Sequence, residues 1–161
     1  MESRTGDFAD VVAFVGEFSH DPLGFVYAAF PWGAAGTTLD GLAGPDAWQR
    51  EVLEDVGAGV KDIQTVVREA VASGHGVGKS ALVAWLVLWA MATHEETRCI
   101  VTANTDTQLR TKTWPELSKW YRLFIARDMF RLTATSLFSV QEGHDRTWRA
   151  DAIPWSKDNP E

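Results

Sequence analysis

Three glycines at alternate positions constrain the fold of this chain more than any other feature. The sequence Ser-Gly-His-Gly-Val-Gly-Lys-Ser occupies residues 73–80 and is followed by an unbroken apolar run, residues 81–92. Because glycine tolerates left-handed backbone conformations, the alternation predicts a tight turn rather than a helix or strand. The apolar run predicts a buried helix from Gly78 to about Thr93, shorter than the roughly 20 residues that span a bilayer.

A glycine turn at the start of a helix is suited to binding phosphate. Backbone N–H groups converge there, and the helix adds its N-terminal partial positive charge. Lys79, the predicted catalytic residue, supplies a point charge for the β- and γ-phosphates, and the Ser80 hydroxyl is a predicted ligand of Mg²⁺. The pattern usually opens with glycine, and here serine takes that position. The predicted cofactors are ATP and Mg²⁺, and the predicted binding residues are Ser73, Gly74, His75, Gly76, Val77, Gly78, Lys79 and Ser80.

The elements around the turn predict an α/β fold. A valine-rich segment, Gln64–Ala72, is the expected strand before the turn, and Arg98–Ala103 is the expected strand after the helix. Thr105 and Gln108 have capping-box spacing, which predicts a further helix. Pro115 is expected to interrupt that helix and start a new one to about Ala126. This order predicts a partial parallel sheet flanked by helices.

The two ends of the chain complete the prediction. Helices are expected from about Asp7 to Phe18 and from Pro45-Asp46 to about Gly57, separated by a Gly- and Pro-rich loop, residues 30–44. We therefore expect an N-terminal helix and linker over 1–44 and a nucleotide-binding domain over 45–161. Strands predicted at 131–140 and 146–152, joined by a turn at 142–145, form an expected antiparallel edge hairpin.

Two polar blocks are further candidates. The Gln49 amide can match the hydrogen-bonding edge of adenine while Trp48 stacks on the base; alternatively, Trp48 packs in the core and Gln49 is solvated. Residues 102–108, Thr-Ala-Asn-Thr-Asp-Thr-Gln, follow the second predicted strand. Side chains at the carboxyl end of a parallel strand lie beside the ligand crevice, so a sensor or DNA-contacting role and a simple helix cap are both open.

Charge and cysteine content narrow the choice of partners. The net charge is −7, yet residues 98–131 carry +4 and the remainder −11. A polyanion would meet this middle segment, although a solvated helix face explains the charges equally well. The single cysteine, Cys99, excludes an intrachain disulfide, suits a reducing compartment and is expected in the core. The four histidines show no metal-ligand spacing.

Three blocks, residues 48–53 (Trp-Gln-Arg-Glu-Val-Leu), 73–80 and 102–108, together resemble the large subunit of a tailed-phage terminase. Trp114 and Trp120 also suit that family, and the similarity runs from about Asp21 to Trp155. It implies a P-loop NTPase of the RecA-like, additional-strand type: the motor ATPase that drives viral DNA into a capsid. It also implies double-stranded DNA, a terminase small subunit and a portal as partners, a possible homo-oligomer, the host bacterial cytoplasm as location, and no membrane.

The resemblance has three departures. No apolar run ending in Asp-Glu follows the loop, and such a pair orders Mg²⁺ and activates water in these ATPases. The nuclease domain of the family is absent, and His75 stands where many large terminases place a loop arginine. We therefore expect a truncated N-terminal part of such a motor that binds ATP but does not hydrolyse it alone. The alternatives are another P-loop NTPase, such as a helicase or kinase, and a non-catalytic prophage remnant.

Overall fold

The computed structural model describes residues 3–72, 74, 76 and 78–155, with side chains from residue 9 onward. The described residues form six α-helices and four strands, with four helices first and three consecutive strands last. A π-helical turn, Leu109–Thr113, and a 3₁₀ turn, Arg127–Met129, complete it. The elements are α1 Ser3–Gly16, α2 Pro22–Ala29, α3 Ala47–Gly59, α4 Lys79–Thr93, β1 Arg98–Val101, α5 Asp106–Gln108, α6 Trp114–Leu123, β2 Phe130–Leu132, β3 Ser136–Ser139 and β4 Arg149–Ala152.

The strands form one mixed sheet in the order β1-β4-β3-β2. β1 and β4 are parallel, with Cys99 opposite Ala150, whereas β4, β3 and β2 are successively antiparallel. The α/β class is therefore confirmed. The predicted partial parallel sheet is confirmed only for the pair β1 and β4, because the other two strand pairs of the described sheet are antiparallel.

The predicted C-terminal hairpin is confirmed in part. β3 and β4 are antiparallel, and Gly143, at φ +83°, lies in the turn region between them. The single strand predicted over 131–140 is instead a hairpin of β2 and β3. Its turn is closed by Thr133, whose N–H donates to the Ser136 carbonyl at 2.7 Å and whose Oγ1 accepts from the Ser136 N–H at 3.0 Å. A threonine that bonds its own turn in this way breaks a strand without glycine or proline.

The strand predicted over Gln64–Ala72 is wrong. The segment has no regular structure, and Ile63 and Val66 are 95% and 74% exposed. Val67 does lie against Gly59 at the end of α3. Valine favours a pleated, half-buried surface, but a strand also requires a neighbouring strand. In the described sheet β1 pairs only with β4.

Helix α4 is central to the core, as its apolar sequence predicts. It packs against α1, α2, α6, β1 and β4. Leu88 and Met91 are fully buried, and Trp85 packs on Trp32 and Trp120 with ring centroids 5.8 and 4.9 Å apart. Among the helices described, none has the length and apolar character needed to cross a membrane.

The N-terminal helices differ from prediction in their bounds and in their number. Helix α1 ends at Gly16 rather than Phe18, and α3 begins one residue after Asp46. Helix α2 is a further difference, because no helix is predicted between Phe18 and Pro45. In the structure Asp21 caps α2, with its Oδ1 accepting from the Gly24 N–H at 2.8 Å, and Pro22 opens the helix. The loop over residues 30–44 is confirmed, and its Leu39 is buried in the common core.

Pro115 does not break the helix that begins after Thr105. The Thr105 hydroxyl accepts from the Gln108 N–H at 3.1 Å, so the predicted cap is confirmed. The chain then stays helical from 106 to 123, passing through the π-helical turn immediately before α6. Proline lacks an N–H and clashes with the carbonyl four residues earlier. A wider π-helical turn relieves that conflict without ending the helix.

Candidate functional site

The glycine turn has the backbone conformation that its sequence predicts. Gly76 and Gly78 have φ values of +78° and +87°, and α4 begins at the next residue, Lys79. An L-residue with a side chain is disfavoured there by roughly 1–2 kcal/mol. Ser73, His75 and Val77, also predicted to bind phosphate, lie outside the described residues, so their roles stay predictions.

The side chain of Lys79 folds back over the turn. Its Nζ donates a hydrogen bond to the carbonyl oxygen of Gly74 at 2.5 Å, five residues earlier in the chain. The described part of the turn is therefore neither extended nor a continuation of α4. This hydrogen bond keeps the ammonium group next to the backbone of the turn.

A cavity of about 480 Å³ borders this turn. One wall is the turn with the first residues of α4, and the other is the helical segment from α5 to α6. Its volume lies within the range of about 300–1,000 Å³ typical of small-ligand sites. The lining residues are Gly76, Gly78, Lys79, Ser80, Ala81, Gln108, Lys112, Thr113 and Glu116.

Sequence reasoning missed four of these lining residues, the apolar Ala81 and three polar side chains. Lys112 adds a second cation on the wall opposite Lys79, and Thr113 and Glu116 add a hydroxyl and a carboxylate. Together with Gln108 they lie on one face of a continuous helix. The expected break at Pro115 separated Glu116 from Gln108 and Lys112. The signal that identifies it is the spacing of 108, 112 and 116, four residues apart on a helix.

Glu116 is held in place by its own helix. Its Oε1 accepts from Trp120 Nε1 at 2.9 Å and from Lys119 Nζ at 3.3 Å. The side chain of Glu116 is 27% exposed, so it reaches solvent at the cavity wall. No group of three or more His, Cys, Asp or Glu side chains within the described ranges could hold a metal ion.

A second, more open cleft of about 640 Å³ continues from the turn across the end of β1. Lys79 and Ser80 line it together with Thr102, Asn104 and Gln108. The polar block after β1 therefore lies beside the turn, as its place at the carboxyl end of a strand predicts. Cys99 also borders this cleft, and burial raises the pKa of its thiol to about 11, so it is not a reactive thiolate.

The first block contacts the turn directly. Gln49 is 4% exposed. Its Nε2 donates to the Gly78 carbonyl at 3.0 Å, and its Oε1 accepts from the Asp46 N–H at 2.8 Å. Trp48 is half-buried against the core. Neither residue lines the cavity at the turn, and their contact with adenine stays a prediction.

The carboxylate of Asp151, on β4, is bonded to Arg149 and Ser136. Asp151 forms a salt bridge with Arg149 at 2.5 Å and accepts from the Ser136 hydroxyl at 2.7 Å. The hydrogen bond from Arg149, with smaller contributions from Ser136 and nearby charge, holds the pKa of Asp151 below its ordinary value. Its neighbour Ala150 is fully buried. Because successive strand residues face opposite sides, Asp151 faces away from the side of the sheet that packs on α4.

Comparison with known proteins adds no assignment: no family model, no curated protein and no solved structure matches this chain. The case for function therefore depends on the geometry of the turn and on the blocks around it. The fold brings all three sequence blocks to one place, since Gln49 bonds Gly78 and residues 102–104 share a cleft with Lys79 and Ser80.

Proposed function

We propose that this chain is the ATP-binding part of a DNA-packaging motor. The observation that supports this most is the turn at Gly76 and Gly78, with Lys79 folded back to Gly74 at the start of a buried helix. Left-handed glycines leave space for an anion to approach the backbone, and no other residue type does so without strain. The residues present therefore fit a bound triphosphate.

Each residue has a role in holding the nucleotide. The backbone of the turn and the first N–H groups of α4 would bind the phosphate oxygens, and Lys79 would neutralise their charge. Ser80 would hold Mg²⁺, whose chemistry is to neutralise charge on the β- and γ-phosphates during transfer. Lys112, on the opposite wall of the cavity, adds a second positive charge near the same anion.

The choice of a packaging motor over another P-loop enzyme depends on the three blocks. Their order and separation resemble a terminase large subunit, and the fold places each of them at the turn. As the ATP-binding part of a packaging motor, this chain is expected to bind ATP more tightly when double-stranded DNA is present. An increase in ATP affinity with single-stranded DNA alone would favour a helicase instead.

Calorimetric titration with ATP and Mg²⁺ tests nucleotide binding. We expect Lys79→Ala to weaken ATP binding roughly 10- to 100-fold, the loss expected for one charge-assisted hydrogen bond to phosphate. Lys61→Ala is the matched control, since Lys61 is exposed and lies outside both clefts at the turn. Absence of binding by the wild type, or equal binding by the Lys79 variant, contradicts the proposal.

A further inference from the structure

The buried amide of Gln49 has a defined orientation. A backbone N–H can only donate, so the atom facing the Asp46 N–H is the acceptor oxygen, Oε1. The other end of the amide must then present Nε2 to the Gly78 carbonyl, which can only accept. Both hydrogen bonds are thus chemically consistent, as expected for a polar group buried to this degree.

The partner of Gln49 is the residue that joins the turn to the helix. The Gly78 carbonyl accepts from Gln49 Nε2 at 3.0 Å and from the Leu82 N–H, the first helical bond of α4, at 3.1 Å. The peptide between Gly78 and Lys79 is planar and trans, so its N–H points opposite to its carbonyl. Holding the carbonyl therefore fixes the direction of the Lys79 N–H, away from Gln49 and Leu82.

The contact between Gln49 and Gly78 is also close. A Cβ added to Gly78 would lie 2.7 Å from Nε2 of Gln49, so the amide occupies the space beside the turn. Reading adenine through both ends of this amide would require it to leave Asp46 and Gly78. In the described geometry the amide is bound to the protein at both ends.

We infer that Gln49 is a positioning residue of the phosphate-binding turn, which sets affinity for the phosphate chain of any nucleotide rather than selecting adenine. This inference rests on the proposed function. The side chain of Gln49 links α3 to Gly78 in the turn, which is 29 residues later in the sequence. A positioning role affects every ligand that carries the triphosphate, whereas an adenine ligand affects ATP alone.

The test compares ATP, GTP and inorganic triphosphate, each with Mg²⁺, on the wild type, Gln49→Met and Gln49→Glu. Methionine keeps the approximate shape and loses both hydrogen bonds. We expect it to weaken all three ligands by the same factor, roughly three- to tenfold. Glu51→Gln, on the exposed face of the same helix, is the control and should leave all three affinities unchanged.

Gln49→Glu adds a pH profile that a purely structural role would not produce. An ionised glutamate cannot donate to the Gly78 carbonyl, but a protonated one can, and burial favours the protonated form. Relative to the wild type at each pH, binding by this variant should recover as the pH falls. The Met variant should show no such recovery. This arm also covers the case in which Gln49→Met does not fold.

The outcomes separate the two proposals. If the wild type binds none of the ligands, the proposed function fails. If the wild type binds and the Gln49 variants lose affinity for ATP alone, Gln49 is an adenine ligand and the inference is overturned. It is equally overturned if the variants unfold at lower temperature yet, while folded, bind all three ligands as the wild type does.

Discussion

Alanine substitution of the three glycines in the turn gives a graded prediction for stability. Gly74 has no positive φ, and an added Cβ would meet no described atom within 4 Å, so Gly74→Ala should be close to neutral. Gly76 has a φ of +78° and also has open space, so Gly76→Ala should cost only the backbone strain, about 1–2 kcal/mol. Both effects can be measured as the free energy of unfolding in urea.

Gly78→Ala should cost more than either. The strain at φ +87° is again about 1–2 kcal/mol. In addition, the new Cβ would displace the Gln49 amide, leaving a buried polar group without its partner at a cost of about 1–3 kcal/mol. The expected total is roughly 2–5 kcal/mol, and the excess over Gly76→Ala isolates the contact with Gln49.

A double-mutant cycle decides whether this explanation is correct. Once Gln49 is already alanine, the amide is gone, so Gly78→Ala should cost no more than Gly76→Ala does. Three glycine variants of equal stability would refute the conformations assigned to the turn. An excess cost at Gly78 that persists without the Gln49 side chain would refute the steric argument.

Two further predictions concern the core and the sheet. Leu88→Ala should lower the free energy of unfolding by about 2–5 kcal/mol, because Leu88 is fully buried in α4; Val83→Ala, at a position 39% exposed on the same helix, should cost much less, and equal losses would contradict the packing. Asp151→Asn should lower stability by roughly 1–2 kcal/mol at neutral pH through loss of the bond to Arg149. Because the folded pKa of Asp151 is depressed, its contribution is present above the unfolded value of about 3.9 and is lost as the pH falls through the folded value. The difference between the Asn variant and the wild type should therefore shrink in acid, and a difference that grew instead would contradict the assigned bond.

The parts of the fold that were predicted correctly depend on local chemistry. The apolar run over residues 81–92 must be buried away from water, and its length predicts a helix. The observed bounds of α4, Lys79–Thr93, agree with that prediction. The cap at Thr105 requires only a hydroxyl three residues before an N–H. Alternating glycines likewise indicate a turn wherever they occur, and the φ values of Gly76 and Gly78 agree with that interpretation.

The wrong predictions of secondary structure have physical causes that local sequence patterns do not show. The valine-rich segment over 64–72 has strand propensity, but pairing depends on a distant strand, and the described sheet places none beside it. Asp21-Pro22 starts α2 and does not end α1, which already ends at Gly16. Pro115 was expected to end a helix, because the π-helical turn that accommodates it is a property of the folded backbone.

The consequence for the candidate site is greater than for the fold. Because the helix continues through Pro115, Glu116 joins Lys112 on the cavity wall that faces Lys79. A prediction that ends the helix at Pro115 does not place these two side chains on one wall. The turn itself is predictable because the chemistry of its glycines is local. The side chain that holds it, Gln49, is 29 residues away in sequence, and only the hydrogen bond to Gly78 reveals that connection. The candidate site therefore combines a glycine turn, which the sequence identifies, with the side chain of Gln49, which sequence spacing does not identify. Substitutions at Gln49 should alter phosphate binding although the sequence of the turn is unchanged.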